Sequence, residues 1–73
     1  MNNALRRVSL GHRIREVRES QHLSQRKLAR MMGNESHSYL SDVERGVKNP
    51  SFDYICCVAD ALGVDISYFF VGI

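Results

Sequence analysis

The sequence predicts an all-α fold, a compact single domain of five short helices. The chain has 73 residues, about half the usual length of one domain, which excludes a multidomain enzyme with its own cofactor fold. Apolar residues recur at helical spacing between glycine and proline boundaries, and no stretch shows the strict alternation of a β-strand. Most of the predicted helices also have a start or a stop signal of their own.

Helices 1 and 2 are predicted on the first half of the chain. Helix 1 runs from about Ser9, or one turn earlier, to about Ser20, because its apolar residues recur every three or four positions. Helix 2 begins after Ser24, a good N-cap, and ends at Gly33, so that it is only about two turns long. The predicted inward-facing residues of the two helices are Leu10, Ile14, Val17, Leu28, Ala29 and Met32.

Helices 3, 4 and 5 follow in the second half. Helix 3 starts near Ser36 and ends at Gly46, and helix 4 runs from a Ser51 cap to Gly63. Asp65 is the predicted cap of a last short helix that ends in an apolar run. The predicted inward-facing residues of helices 3 and 4 are Tyr39, Leu40, Val43, Phe52, Ile55, Val58, Ala59 and Leu62.

The composition is that of a folded, soluble domain. Apolar residues make up 44% of the chain and charged residues 25%, which is ordinary for globular proteins. No apolar run approaches the roughly 20 residues that cross a bilayer, and the Arg-rich start lacks the apolar stretch of a secretory signal. We therefore expect a cytoplasmic protein without a membrane partner.

The residues that would build an enzyme or a metal site are not grouped in the sequence. Cys56 and Cys57 are adjacent and the histidines are scattered, so the paired spacing of a zinc site is missing. No carboxylate pair, Ser-His-Asp set or phosphate-cradling glycine loop is present either. We expect no enzymatic activity, metal, cofactor or small-molecule ligand, and we expect the cysteines to be reduced thiols.

The charges are distributed unevenly along the chain. Residues 1–30 carry eight Arg or Lys and two Glu, a net charge of +6, whereas residues 31–73 carry two basic and six acidic residues, a net charge of −4. A cationic half suggests that a polyanion binds one side of the protein. An uneven surface charge without functional meaning is the alternative that the charges alone leave open.

Short motifs follow one another along roughly residues 9–70. They are LGHRIREVR (10–18), LSQ (23–25), LA (28–29), Gly33, SYLSDVERG (38–46), NPS (49–51) and ALGV (61–64). Together they resemble the Cro and phage-repressor type, the XRE family, of DNA-binding proteins. The resemblance implies a lambda-repressor-like fold with a helix-turn-helix at about 24–45. Residues 1–8 are then an N-terminal arm or an extra turn of helix 1, and residues 33–38 contain one residue more than the family pattern.

The outward face of helix 3 supplies the candidate base-reading residues. If Leu40 and Val43 face the core, the 100° step of a helix turns its polar side chains to the opposite side. The resemblance implies that this helix enters the major groove of double-stranded DNA, N-terminal residues first. A solvated polar face is the alternative. The candidates are Ser36, His37, Ser38, Ser41 and Asp42.

Helix 2 and the loop after helix 3 supply the candidate phosphate-contacting residues. Arg26 and Lys27 lie in the first turn of helix 2, where cations oppose the helix dipole but favour a docked DNA phosphate. The resemblance implies that Gln25 contacts a phosphate or braces the recognition helix. For the loop, a polar surface turn is the alternative. The set is Gln25, Arg26, Lys27, Arg45, Lys48 and Asn49.

One feature of the sequence concerns the packing of helix 1 against helix 3, and another concerns dimerisation. The resemblance implies an ion pair between Arg18 and Glu44 that ties helix 1 to helix 3, either buried or exposed. The apolar tail exceeds what one small core needs, which predicts a dimerisation segment at 64–73, unless the tail folds back as core. The tail residues assigned to dimerisation are Tyr68, Phe69, Phe70 and Val71.

These features together predict a sequence-specific transcriptional regulator that binds an inverted-repeat operator as a homodimer. The resemblance suggests a phage-type repressor, a restriction-modification controller or an antitoxin, with RNA polymerase or a partner protein as a further contact. The alternative is a helix-turn-helix protein-interaction module that does not read DNA, favoured by Asp42 and Glu35 near the recognition face.

Overall fold

The computed structural model describes residues 2–73 and consists of helices joined by short loops. That range contains no strand, so the all-α prediction is confirmed, although the last helix is a 3₁₀ helix and not an α-helix. The elements are α1 (Asn3–Ser20), α2 (Gln25–Met31), α3 (Ser38–Glu44), α4 (Phe52–Leu62) and the C-terminal 3₁₀ helix (Ile66–Phe70). Within residues 2–73, none of the helices combines the length and the apolar character that a membrane span requires.

Side-chain caps set most of the helix starts. Ser24, Ser51 and Asp65 each accept a hydrogen bond from a backbone N–H two or three residues further on, as their positions in the sequence predict. Asn2 does the same for α1, which therefore begins six residues before Ser9, earlier than the apolar spacing indicates. The extension adds more than one turn to the N-terminal end of α1.

Helix α3 begins two residues later than predicted. Its first residue is Ser38, and the Ser36 hydroxyl accepts a hydrogen bond from the Ser38 backbone N–H at 3.1 Å. Ser36 thus stabilises the start of the helix from the preceding loop. The predicted start near Ser36 is therefore two residues too early, because a serine that caps from outside gives the same sequence signal as one inside the first turn.

The core lies where the four α-helices and the 3₁₀ helix meet. Two predicted core residues are wrong: Tyr39 is 40% exposed and Phe52 is 66% exposed. Both lie in the first turn of a short helix, where correct spacing does not guarantee that another element covers the side chain. The buried cluster is Leu10, Ile14, Val17, Leu28, Leu40, Val43, Ile55, Val58, Ala59, Leu62 and Phe69.

Two glycines allow α1 to lie very close to the C-terminal end of α3. A Cβ on Gly11 would be 2.3 Å from the Val43 carbonyl oxygen, well inside van der Waals contact. Gly46 has a φ of +78°, and a Cβ there would be 2.7 Å from the Cα of Val8. Only glycine fits both positions without displacing backbone, so these contacts set the distance between α1 and α3.

The C-terminal tail divides into a buried and an exposed part. Phe69 is fully buried in the core, whereas Tyr68, Phe70 and Val71 are 50%, 42% and 63% exposed. The assignment of Phe69 to dimerisation is therefore wrong, because its side chain is already covered by its own chain. The other three remain available to a second copy.

Candidate nucleic-acid interface

A buried carboxylate at the end of α3 holds the candidate interface together. The Glu44 side chain is 2% exposed and pairs with Arg18 of α1, with Nε at 2.7 Å from one oxygen and Nη2 at 3.0 Å from the other. The amide nitrogen of Gln25, the first residue of α2, donates to the same carboxylate at 3.0 Å. One acidic group therefore receives donors from two other helices, and the Arg18–Glu44 pair is the buried form.

Arg18 also connects this network to the loop before α2. Its Nη1 donates to the Leu23 carbonyl oxygen at 2.6 Å. The hydrogen bond to Glu44 raises the pKa of Arg18 above its usual value, since it favours the charged guanidinium. The network fixes α2 and α3 relative to α1, which is the geometry that a helix-turn-helix needs to present α3.

Four predicted DNA-contacting residues lie on α3 or directly after it, on the side away from the core. Ser38 and Arg45 are exposed, and Ser41 and Asp42 are partly exposed. Asp42 and Arg45 form an ion pair with each other, with side-chain exposures of 28% and 64%. Solvent can reach both groups, so an incoming base edge or phosphate can exchange with either partner.

His37 and Ser36 lie in the loop before α3. His37 lines an open groove of about 470 Å³ between this loop and the start of α2. The groove is open, and most of its polar side chains reach solvent. Its lining residues are Arg18, Ser24, Gln25, Arg26 and His37.

The candidate phosphate-contacting residues fall into two groups: exposed side chains without a carboxylate partner in the described chain, and side chains that already bind another residue. Arg26, Lys27, Lys48 and Asn49 are exposed, and none of the three cations among them has a carboxylate partner within residues 2–73. Gln25 donates to Glu44, which favours the bracing role over a phosphate contact. The free cations lie at the start of α2 and in the α3–α4 loop (45–51), on both sides of α3 in the sequence.

An aromatic pair lies beside the start of α3, and no pattern in the sequence predicts it. The rings of Tyr39 and Tyr54 meet edge to face with centroids 4.9 Å apart. The Tyr54 hydroxyl is buried without a hydrogen-bond partner among residues 2–73, and burial raises the pKa of Tyr54 to about 12. The pair lines a groove of about 560 Å³ together with residues 34–36 and Ser38.

The close approach of Gly11 was also missed, although a signal for it exists. Glycine in the middle of a helix costs about 1 kcal/mol relative to alanine. A glycine on the inward side of an otherwise well-formed α1 therefore indicates that another backbone passes close by, as the carbonyl groups of Val43 and Glu44 do.

Comparisons with known proteins agree with this geometry. A helix-turn-helix family model matches residues 14–69. The immunity repressor protein of Bacillus phage phi105 is 42% identical over 60 residues, which cover 82% of this chain and 41% of that protein. The control protein C.BamHI of Bacillus amyloliquefaciens is 41% identical over 59 residues, covering 80% of this chain and 72% of that protein.

Similarity extends to solved structures. The restriction-modification controller protein C.AhdI from Aeromonas hydrophila superposes with a TM-score of 0.83 and 39% identity, over 88% of this chain and 96% of that chain. The chain spans less than half the length of several curated relatives that it matches, the phage repressor among them. The similarity therefore covers only part of those longer proteins.

Proposed function

The chain belongs to the helix-turn-helix family, and we propose that it is a sequence-specific DNA-binding transcriptional regulator. The observation that carries the proposal is the presentation of α3. Its inner side is held by the Arg18–Glu44 network, while Ser38, Ser41 and Asp42 lie on the side that solvent reaches. A rigid helix with a free polar face is what direct readout of a base sequence requires.

The proposed roles follow from side-chain chemistry. A major groove about 12 Å wide admits one α-helix. Serine hydroxyls at 38 and 41 bond either donors or acceptors on base edges, and Asp42 accepts from a cytosine amine. His37 and Ser36 read bases from the loop before the helix. Arg26, Lys27, Arg45, Lys48 and Asn49 contact phosphates on either side of the groove.

The names of the similar proteins suggest the biological setting. One is a restriction-modification controller protein, one is a control protein and one is a phage immunity repressor. We infer that this chain binds an operator and controls transcription as a repressor or a control protein. It would do so by excluding RNA polymerase from the promoter or by contacting it. Its own promoter is the first candidate site.

Binding to promoter DNA tests the proposal. Fluorescence anisotropy with the DNA upstream of the protein's own gene, and with scrambled DNA of equal length, is measured at about 50 and 200 mM salt. We expect a preference of about a thousandfold or more for the native DNA, which persists at the higher salt. Weak and equal binding to both, lost at the higher salt, would contradict a regulator of this promoter and favour a protein-interaction module.

We further propose that the exposed part of the tail pairs two copies. Tyr68, Phe70 and Val71 expose apolar surface close together in sequence, and such surface is commonly covered by a partner. A two-fold dimer would separate two α3 helices by about 34 Å and match an inverted repeat.

Sedimentation equilibrium with a matched pair of variants tests the dimer. Val71 and Val47 are 63% and 60% exposed, but Val47 lies in the α3–α4 loop. We expect Val71→Asp to shift the equilibrium towards monomer and Val47→Asp to leave it unchanged. A dimer that survives Val71→Asp, or is lost in both variants, would overturn the proposed surface.

A further inference from the structure

The extension at the start of α1 carries two cations that have no role in the interface described above. Arg6 and Arg7 lie in its first two turns, and neither guanidinium has a carboxylate at salt-bridge distance among residues 2–73. Further along α1, by contrast, Arg15 pairs with Glu19 at 3.3 Å. The positive charge at the start of the helix is therefore not neutralised within the described chain.

These two side chains lie beside the α3–α4 loop. Val8, the next residue of α1, is the one that Gly46 approaches, with 2.7 Å between the Val8 Cα and a Cβ built on Gly46. Arg6 and Arg7 line one cavity of about 280 Å³ with Asn49 of that loop. The start of α1 therefore continues the surface on which the loop carries its candidate phosphate contacts.

No carboxylate of the described residues competes for these two arginines nearby, although the cavity they line is otherwise largely apolar. The described first turn of α1 contains no acidic residue, and the described lining of the shared cavity includes two arginines and no Asp or Glu. Arg6 donates to the Asn3 side-chain oxygen at 3.3 Å, which partly orders its guanidinium group, and Arg7 is partly exposed. An ordered, unpaired arginine loses less conformational freedom when it binds a phosphate.

We propose that Arg6 and Arg7 contact the DNA phosphates next to those held by the α3–α4 loop. This inference rests on the proposed DNA binding and adds a surface to it. Phosphate contacts carry no base information, so the two arginines raise affinity for every DNA sequence alike. The extension of α1 thus widens the footprint of each protomer without changing its sequence preference.

The salt dependence of DNA binding tests this. Each phosphate contact contributes about 0.9 to the slope of log affinity against log salt concentration. The variant Arg6→Gln/Arg7→Gln should therefore lose about 1.8 from the slope, on native and scrambled DNA alike. Between about 50 and 200 mM salt its affinity should fall about tenfold less than that of the wild type.

Single substitutions provide the controls. Arg7→Gln and Arg30→Gln each remove one positive charge, but Arg30 lies in the last turn of α2, outside the proposed contact surface. Only Arg7→Gln should therefore lower the slope, by about 0.9. Arg7→Lys keeps the charge and should retain the slope. Thermal melting monitored by circular dichroism verifies that each variant is folded.

The outcomes separate this inference from the proposed function. If the wild type binds DNA with a salt-dependent affinity but the double variant keeps the same slope, only the role of Arg6 and Arg7 is overturned. An equal loss in Arg30→Gln would also overturn it, since it would indicate a general effect of net charge. If the wild type binds no DNA, both proposals fail together.

Discussion

The two carboxylates of α3 lie two residues apart and have opposite surroundings. Glu44 is 2% exposed at its side chain and receives donors from Arg18 and Gln25, whereas Asp42 is 28% exposed and pairs with the solvent-exposed Arg45. With 3.6 residues per turn, positions two apart point in nearly opposite directions. Burial therefore makes one acid part of the scaffold and leaves the other free to exchange partners.

The largest effect is expected on the buried side. Arg18→Ala would leave the Glu44 carboxylate buried without its ionic partner, which we expect to lower the free energy of unfolding by about 3–5 kcal/mol. Urea denaturation measures this. Arg15→Ala is the matched control, because its partner Glu19 is 55% exposed and such pairs contribute less than about 1 kcal/mol. Equal losses in the two variants would contradict the assignment of Glu44 to the scaffold.

The packing beneath Glu44 is tested separately from its charge. Gly11→Ala would place a methyl group 2.3 Å from the Val43 carbonyl oxygen, and overpacking of this kind costs about 1–3 kcal/mol. The loss should appear in urea denaturation even though alanine favours a helix by about 1 kcal/mol. Ser9→Ala in the same helix should not destabilise the protein. An unchanged urea midpoint for Gly11→Ala would show that α3 can move away from α1 at little cost in stability.

Effects on the exposed side should appear in DNA binding more than in stability. We expect Asp42→Ala to change the preference at one base pair by about 1–3 kcal/mol, with unfolding altered by less than about 0.5 kcal/mol. Lys48→Ala should instead weaken binding to all sequences alike. Competition binding with single-base operator variants distinguishes the two patterns. The same pattern from both variants would reject the division into base and phosphate contacts.

The smallest effect is expected from breaking the exposed pair itself. Arg45→Ala removes the partner of Asp42, but a solvated carboxylate needs no replacement, so we expect unfolding to change by less than about 1 kcal/mol. A thermal melt compared with that of Arg18→Ala measures the difference directly. If Arg45→Ala were as destabilising as Arg18→Ala, the two carboxylates of α3 would not differ in role.

Local signals predicted most of the helices and the outward direction of part of the candidate interface. Ser24, Ser51 and Asp65 cap their helices as expected, because a cap depends on a residue and its next few neighbours. The outward direction of Asp42 likewise follows from helical periodicity. The same reasoning failed for Tyr39 and Phe52, because periodicity gives the direction of a side chain and says nothing about what covers it.

The amino-acid order alone was sufficient for the helical pattern, the cationic first half and the choice of polar residues on α3. The burial of the Arg18–Glu44 pair, the bracing role of Gln25, the enclosure of Phe69 and the closeness of Arg7 to the α3–α4 loop appear only in the folded chain. Each of these depends on two segments far apart in sequence, and packing between such segments is what local propensity and periodicity cannot describe.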